Sequence, residues 1–202
     1  MTFRLKVGRL KVVAGLAILG LAGIATTAIA YDRSGGFRAS ISGYQEVPTL
    51  STDANGTFKA SFDRRGDRVR YTLRYEGPFN ANNVPAGSPV TQAHIHLGAR
   101  AVNGGVIVFL CANPPIAPPA GVPTPPTCPP TGGTVTGELT RAHVVGPATQ
   151  GIAAGEFEEF VRALRAGATY VNLHTVAFPN GEIRGQIKGD RGKHRGNDRD
   201  DD

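Results

Sequence analysis

The sequence predicts an all-β protein: an antiparallel Greek-key β-sandwich of about eight strands with one short amphipathic helix. Three observations carry this. Short stretches alternate apolar and polar residues with period two, the mark of strands that bury one face. Glycine and proline, 27 and 15 of 202 residues, gather between those stretches, where chain reversals belong. Helical periodicity appears in a single segment.

Taken in order, residues 1–30 read as a signal peptide. Arg4, Lys6, Arg9 and Lys11 precede an apolar run from Val12 to Ile24, and Ala28-Ile29-Ala30 fits a small-residue cleavage site ahead of Tyr31. The run is short for a membrane span, no cysteine near the cleavage site invites a lipid, and no twin-arginine pair is present. A secreted or periplasmic protein follows, with no stable membrane insertion once the leader is gone. Four of the 22 Lys and Arg residues leave with it, so 18 remain against 16 Asp and Glu, a net of +2. That modest charge is scattered without interleaved aromatics, which points away from nucleic acid. About 170 residues remain, one domain's worth.

The first expected strand, 37–44, sets Phe37, Ala39 and Ile41 against Arg38, Ser40 and Ser42. In 56–62, Phe58, Ala60 and Phe62 alternate with Thr57, Lys59 and Ser61. A tight reversal over 63–67 joins this strand to Val69, Tyr71, Leu73 and Tyr75, giving the clearest hairpin in the chain. A Pro/Asn/Gly connection over 77–89 leads to the strand 91–98. The apolar run from Gly105 to Cys111 predicts a strand buried on both faces, and 133–139, 169–175 and 182–187 complete the count. The helix is expected over 156–166, where Phe157, Phe160, Val161 and Leu164 fall at i, i+3, i+4 and i+7 and Gly167 stops it. From 189 to 202 no residue is apolar, so a disordered polar tail is expected, leaving 37–188 as the folded domain.

The two cysteines, Cys111 and Cys128, flank a loop of seven prolines. An even count in an exported chain predicts a disulfide. Closing that loop is worth about 3 kcal/mol, chiefly by restricting the unfolded chain.

The sharpest functional signal is histidine placement. In the 91–98 strand His94 and His96 share one face, with Ala93, Ile95 and Leu97 on the other; in 169–175, His174 shares a face with Tyr170 and Asn172. Three imidazoles turned from the core under a covering loop would suit Cu(II) or Zn(II). The alternative is that they hydrogen-bond the backbone beneath that loop. Nitrogens within about 3–4 Å of one another would favour a metal. Glu46, Asn172, Glu182 and Arg184 read as structural polar residues; Glu182 and Arg184 share a strand face, and Glu46 is a further partner for Arg184. No serine sits on a glycine-flanked elbow and no carboxylate pair is evident, so no catalytic residue is named.

These motifs resemble the CHRD (chordin-type) domain family over nearly the whole chain beyond the leader. The matching residues are Gln45-Glu-Val-Pro48, Ala93-His-Ile-His-Leu-Gly98, Val106 to Cys111 with a second cysteine, Gly132 to Gly137, Leu164 to Gly167, Tyr170 to Thr175 and Phe178 to Ile187. The resemblance implies an exported domain with no established catalytic role. The His-X-His strand is also similar, locally, to the copper-binding strand of copper-zinc superoxide dismutases, though no bridging histidine or acidic zinc ligand matches. The function expected first is a non-catalytic extracellular or periplasmic binding or structural module, with a protein or surface partner that the sequence leaves unnamed. The alternative is a metal-binding protein using His94, His96 and His174, redox-active if the metal is copper.

Overall fold

The computed structural model describes residues 36–77 and 88–190. The expected leader, most of the 77–89 connection and residues 191–202 lie outside the described residues. Nine strands and one helix make up the described chain: β1 (Gly36–Ser42), β2 (Asn55–Phe62), β3 (Val69–Glu76), β4 (Val90–Leu97), β5 (Val106–Ala112), β6 (Gly132–Leu139), α1 (Phe157–Arg165), β7 (Thr169–Thr175), β8 (Ile183–Gln186) and β9 (Lys188–Gly189). They form one antiparallel sheet ordered β5-β4-β7-β8-β1-β2-β3-β6, with the two-residue β9 beside β1. The all-β class and the lone helix are as the sequence predicts.

The sheet folds over on itself. Tyr71 on β3 donates its hydroxyl to the Leu110 carbonyl on β5 at 2.6 Å, and the apolar faces of both halves join one continuous core. Period-two alternation sets that core: Phe37, Ala39 and Ile41, Phe58 and Ala60, and Val69, Tyr71, Leu73 and Tyr75 are buried, while their neighbours along each strand face water. β2 and β3 pair from Asn55↔Glu76 to Phe62↔Val69. Across the 63–67 reversal, the Asp63 carboxylate accepts from the amides of Gly66 at 2.7 Å and Asp67 at 3.1 Å.

β5 explains its own continuous apolar run. Against β4 it bulges twice, so that His94 faces Phe109 and His96 faces Val106 while Leu110 and Ile107 are skipped. Each bulge lets adjacent residues, Ile107 with Val108 and Leu110 with Cys111, sink into the core together. Cys111 and Cys128 stand at disulfide distance, with Cα atoms 5.1 Å apart. Asn113 closes the base of the proline loop by donating to the Val90 and Cys128 carbonyls, both at 2.9 Å.

α1 buries Phe157, Phe160, Val161 and Leu164. It ends as its sequence dictates: Gly167 takes φ +66°, and Ala168 and Gly167 return their amides to Ala163 and Leu164 at 3.0 and 3.1 Å. No helix among the described residues is long and apolar enough to cross a membrane. At the carboxyl side the ordered chain continues through Gly189, which pairs with Phe37, and the Asp190 amide donates to the Gly36 carbonyl at 2.6 Å.

Candidate metal centre

β7 departs from simple alternation, because both of its faces are buried. Val171 and Leu173 enter the apolar core, whereas Tyr170, Asn172 and His174 enter a second, polar interior under the loops. The histidines therefore do not sit on an open face. His94, His96 and His174 are 3, 9 and 7 % exposed. In register His94 lies opposite Asn172 and His96 opposite Tyr170, while His174 pairs with Gln92, so the three imidazoles meet along a diagonal.

The structure brings all three together, with one ring nitrogen from each lying within 4.8 Å of the others. The closest pair is His94 Nδ1 and His174 Nε2, at 3.2 Å. Tetrahedral bonds of ~2.0–2.1 Å place ligand nitrogens about 3.4 Å apart, so the spread of up to 4.8 Å exceeds the expected ~3–4 Å and a bound ion would have to draw the widest pair in by about 1.4 Å.

The other ring nitrogens fix the tautomers. His96 Nδ1 is 2.9 Å from the Gly104 carbonyl and His174 Nδ1 is 2.9 Å from the Pro179 carbonyl. A carbonyl only accepts, so both Nδ1 atoms carry the proton and both Nε2 atoms are bare. His174 Nε2 must then accept from His94 Nδ1, which leaves His94 Nε2 bare as well. The Nε2 atoms of His94 and His96 are buried with no hydrogen-bond partner. Buried polar atoms left unpaired are costly, and two in one cluster need an explanation.

Aromatic rings hold the imidazoles in place. The His96 ring stacks on Tyr170, 4.8 Å between centroids and 9° from parallel, and His94 meets Phe109 edge-to-face at 4.4 Å. Arg184 caps the Tyr170 ring at 3.4 Å. Its guanidinium donates to Asn103 Oδ1 at 2.9 Å and to the carbonyls of Val102 and Ala99 at 2.7 and 3.2 Å. Arg184 thereby anchors the 98–104 loop, which in turn presents the Gly104 carbonyl to His96.

The remaining polar residues that the sequence singled out find other partners than expected. Glu182 accepts the hydroxyls of Thr175 at 2.7 Å and Thr52 at 2.9 Å. Glu46 bonds the Asn172 amide, and its ion pair with Arg184 does not form. Gly181, at φ +127°, is needed at that contact, since a methyl there would overlap both Asn172 and Glu46. His143 closes a short turn through Thr140 and is remote in role; His194 lies outside the described residues. Tyr170, Phe109 and the 98–104 loop were not singled out from sequence. Tyr170 was legible as a neighbour of His174 on its strand face, whereas nothing local marks Phe109 or Gly104.

Burial tunes the three histidines and Glu46. It pushes His96 down to about 4 and holds His94 and His174 below the ordinary histidine value, His94 the furthest. It raises Glu46 from 4.5 to about 7, against the opposing pull of the Val47 amide, Arg184 and Asn172. The two shifts act oppositely on stability. A histidine kept neutral in the fold contributes stability that is present above 6.5 and lost as pH falls toward 4, on the order of 3 kcal/mol for His96. Protonated Glu46 favours the fold below 4.5, and that contribution is lost as pH rises toward 7. Between 4.5 and 6.5 they offset each other. Urea unfolding of Glu46→Gln across this window should therefore show a steeper acid loss than the parent; an unchanged slope would contradict the opposition.

The comparisons agree with this architecture. The family model for the CHRD domain matches residues 37–187. No curated protein and no solved structure matches the chain, and nothing found supports the local likeness to superoxide dismutases. A match spanning most of the sequence and ending at Ile187, the last buried residue of the core, is decisive: the chain belongs to the CHRD domain family.

Proposed function

We propose that this CHRD-domain protein is an exported, non-catalytic module that holds Cu(II) or Zn(II) with His94, His96 and His174. What supports the metal is the donor set. Three neutral imidazoles converge in a buried pocket; His96 and His174 spend Nδ1 on carbonyls, and the Nε2 atoms of His94 and His96 are left without a partner. A ligating histidine is held in the same manner, its second nitrogen oriented by an outer hydrogen bond. Neutral nitrogen donors suit copper and zinc, and Cu(II) leads the affinity order at such a site. Residues 1–30 act as a removable leader and 37–188 as the domain, which β9 extends to Gly189 and Asp190, with the polar tail after them. The cysteine pair at disulfide distance fits an oxidising compartment.

Titration calorimetry of the purified protein with Cu(II) and with Zn(II) tests this. One ion per chain is expected, with affinity lost in His96→Ala. Because burial lowers the histidine values, competition by protons should set in below the ordinary 6.5, toward about 4 for His96. Equal binding by parent and variant, or by neither, would leave the histidines as braces for the 98–104 and 178–181 loops.

A further inference from the structure

A second feature lies on the solvent-facing side of β9, β1 and β2. In register, Lys188 on β9 stands opposite Arg38 on β1, which stands opposite Lys59 on β2. Residues directly opposite one another share a face, so three exposed cations form a row across adjacent strands. Like charges placed so destabilise a sheet unless something answers them. The row continues onto β3 and β6 as Thr72 and Thr136.

Arg38 is also the meeting point of three open grooves of about 460, 610 and 530 Å³. Lys59 and Arg70 line the first, Arg165 and Lys188 the second, Arg100 and Lys188 the third. Six cations thus border three neighbouring grooves, among whose lining residues Asp190 is the sole acid. Its 3.0 Å ion pair with Arg38 joins groups 70 and 45 % exposed, a weak, screened contact that an incoming anion can displace. Arg70 is already engaged by Glu138 at 2.8 Å.

We infer that this face binds a linear acidic polysaccharide, with successive carboxylates along Lys188, Arg38 and Lys59. The chemistry of the face selects that partner over other polyanions. A single-stranded nucleic acid would want exposed rings on which its bases stack, and the large exposed apolar side chains among the described residues are only Tyr44, Val102 and Val176, none lining these grooves. A protein partner would want an aromatic anchor, and the two aromatics lining the first groove, Phe37 and Tyr71, are buried in the core rather than presented to a partner. The hydroxyls of Ser40, Ser61, Thr72 and Thr136 beside the cations suit a sugar chain instead.

The test is binding of the full chain to a polyuronate, with neutral dextran as control, at low and high salt. Salt-sensitive binding to the polyuronate alone is expected. The double variant Lys59→Gln, Lys188→Gln, altered only at exposed positions, should bind about tenfold more weakly, two exposed ion contacts' worth. Glu138→Gln, which releases Arg70, should bind at least as tightly as the parent. No polyuronate binding, equal affinity in the double variant, or weaker binding by Glu138→Gln would overturn the inference. So would tighter binding to single-stranded DNA or to anionic phospholipid vesicles, which would assign the face to those partners. The imidazoles do not line these grooves, and His94→Ala, which touches neither them nor the 98–104 loop, should bind the polymer as the parent does.

Discussion

Arg184→Met is expected to lower stability by about 3 kcal/mol and to weaken metal binding about tenfold. Arg184 is 2 % exposed, and its guanidinium is held by two carbonyls and an amide oxygen of the 98–104 loop rather than by a carboxylate. Methionine fills the space of the stem but leaves those three acceptors without a donor, at about 1 kcal/mol each. The loop then loses its anchor, and with it the Gly104 carbonyl that orients His96. Arg184→Lys should not restore either property, because a single ammonium cannot fork across three acceptors while lying flat on Tyr170. Urea unfolding and metal titration of both variants check this. A loss below about 1 kcal/mol would mean the loop is held by other contacts.

The second large effect is expected from Cys111→Ser combined with Cys128→Ser. With 17 residues of separation, removing the bridge should cost about 3 kcal/mol by freeing the unfolded chain. Cys111 pairs with Ala93, on the face of β4 away from the imidazoles. The variant should therefore melt earlier yet bind metal as the parent does. If affinity falls with stability, the proline loop also holds the histidines.

Much of this molecule is legible in its sequence, because strand burial is a local signal. The alternation of β1, β2 and β3, the hairpin at 63–67 and the stop of α1 at Gly167 each follow from side-chain period or backbone freedom at a few residues. The convergence of His94, His96 and His174 was legible too, since two strands with histidines on their polar faces need only pair to bring them together. What alternation cannot convey is that the polar face is itself interior. That depends on Phe109 being turned toward His94 by a bulge in β5, and on the 98–104 loop being drawn over Tyr170 by Arg184. Likewise Glu46, Glu182 and Arg184 were recognisable as polar residues needing partners, but the partners, Asn172 on β7 and Thr52 and Asn103 on loops, are distant in sequence and set by tertiary packing rather than spacing.

The central claim, that three preset imidazoles form a metal site, is tested most directly by nitrogen-15 NMR of the histidine rings before and after one equivalent of Zn(II). Without metal, His96 and His174 should both show the Nδ1–H tautomer, with bare Nε2 resonances, and remain neutral below pH 6.5, His96 down toward about 4. With Zn(II), the Nε2 resonances of both should move together to metal-bound positions while their Nδ1 protons stay in place, and the His94 ring should shift with them. Ring nitrogens that ignore the ion, or that move in His143 or His194 alone, would contradict the account.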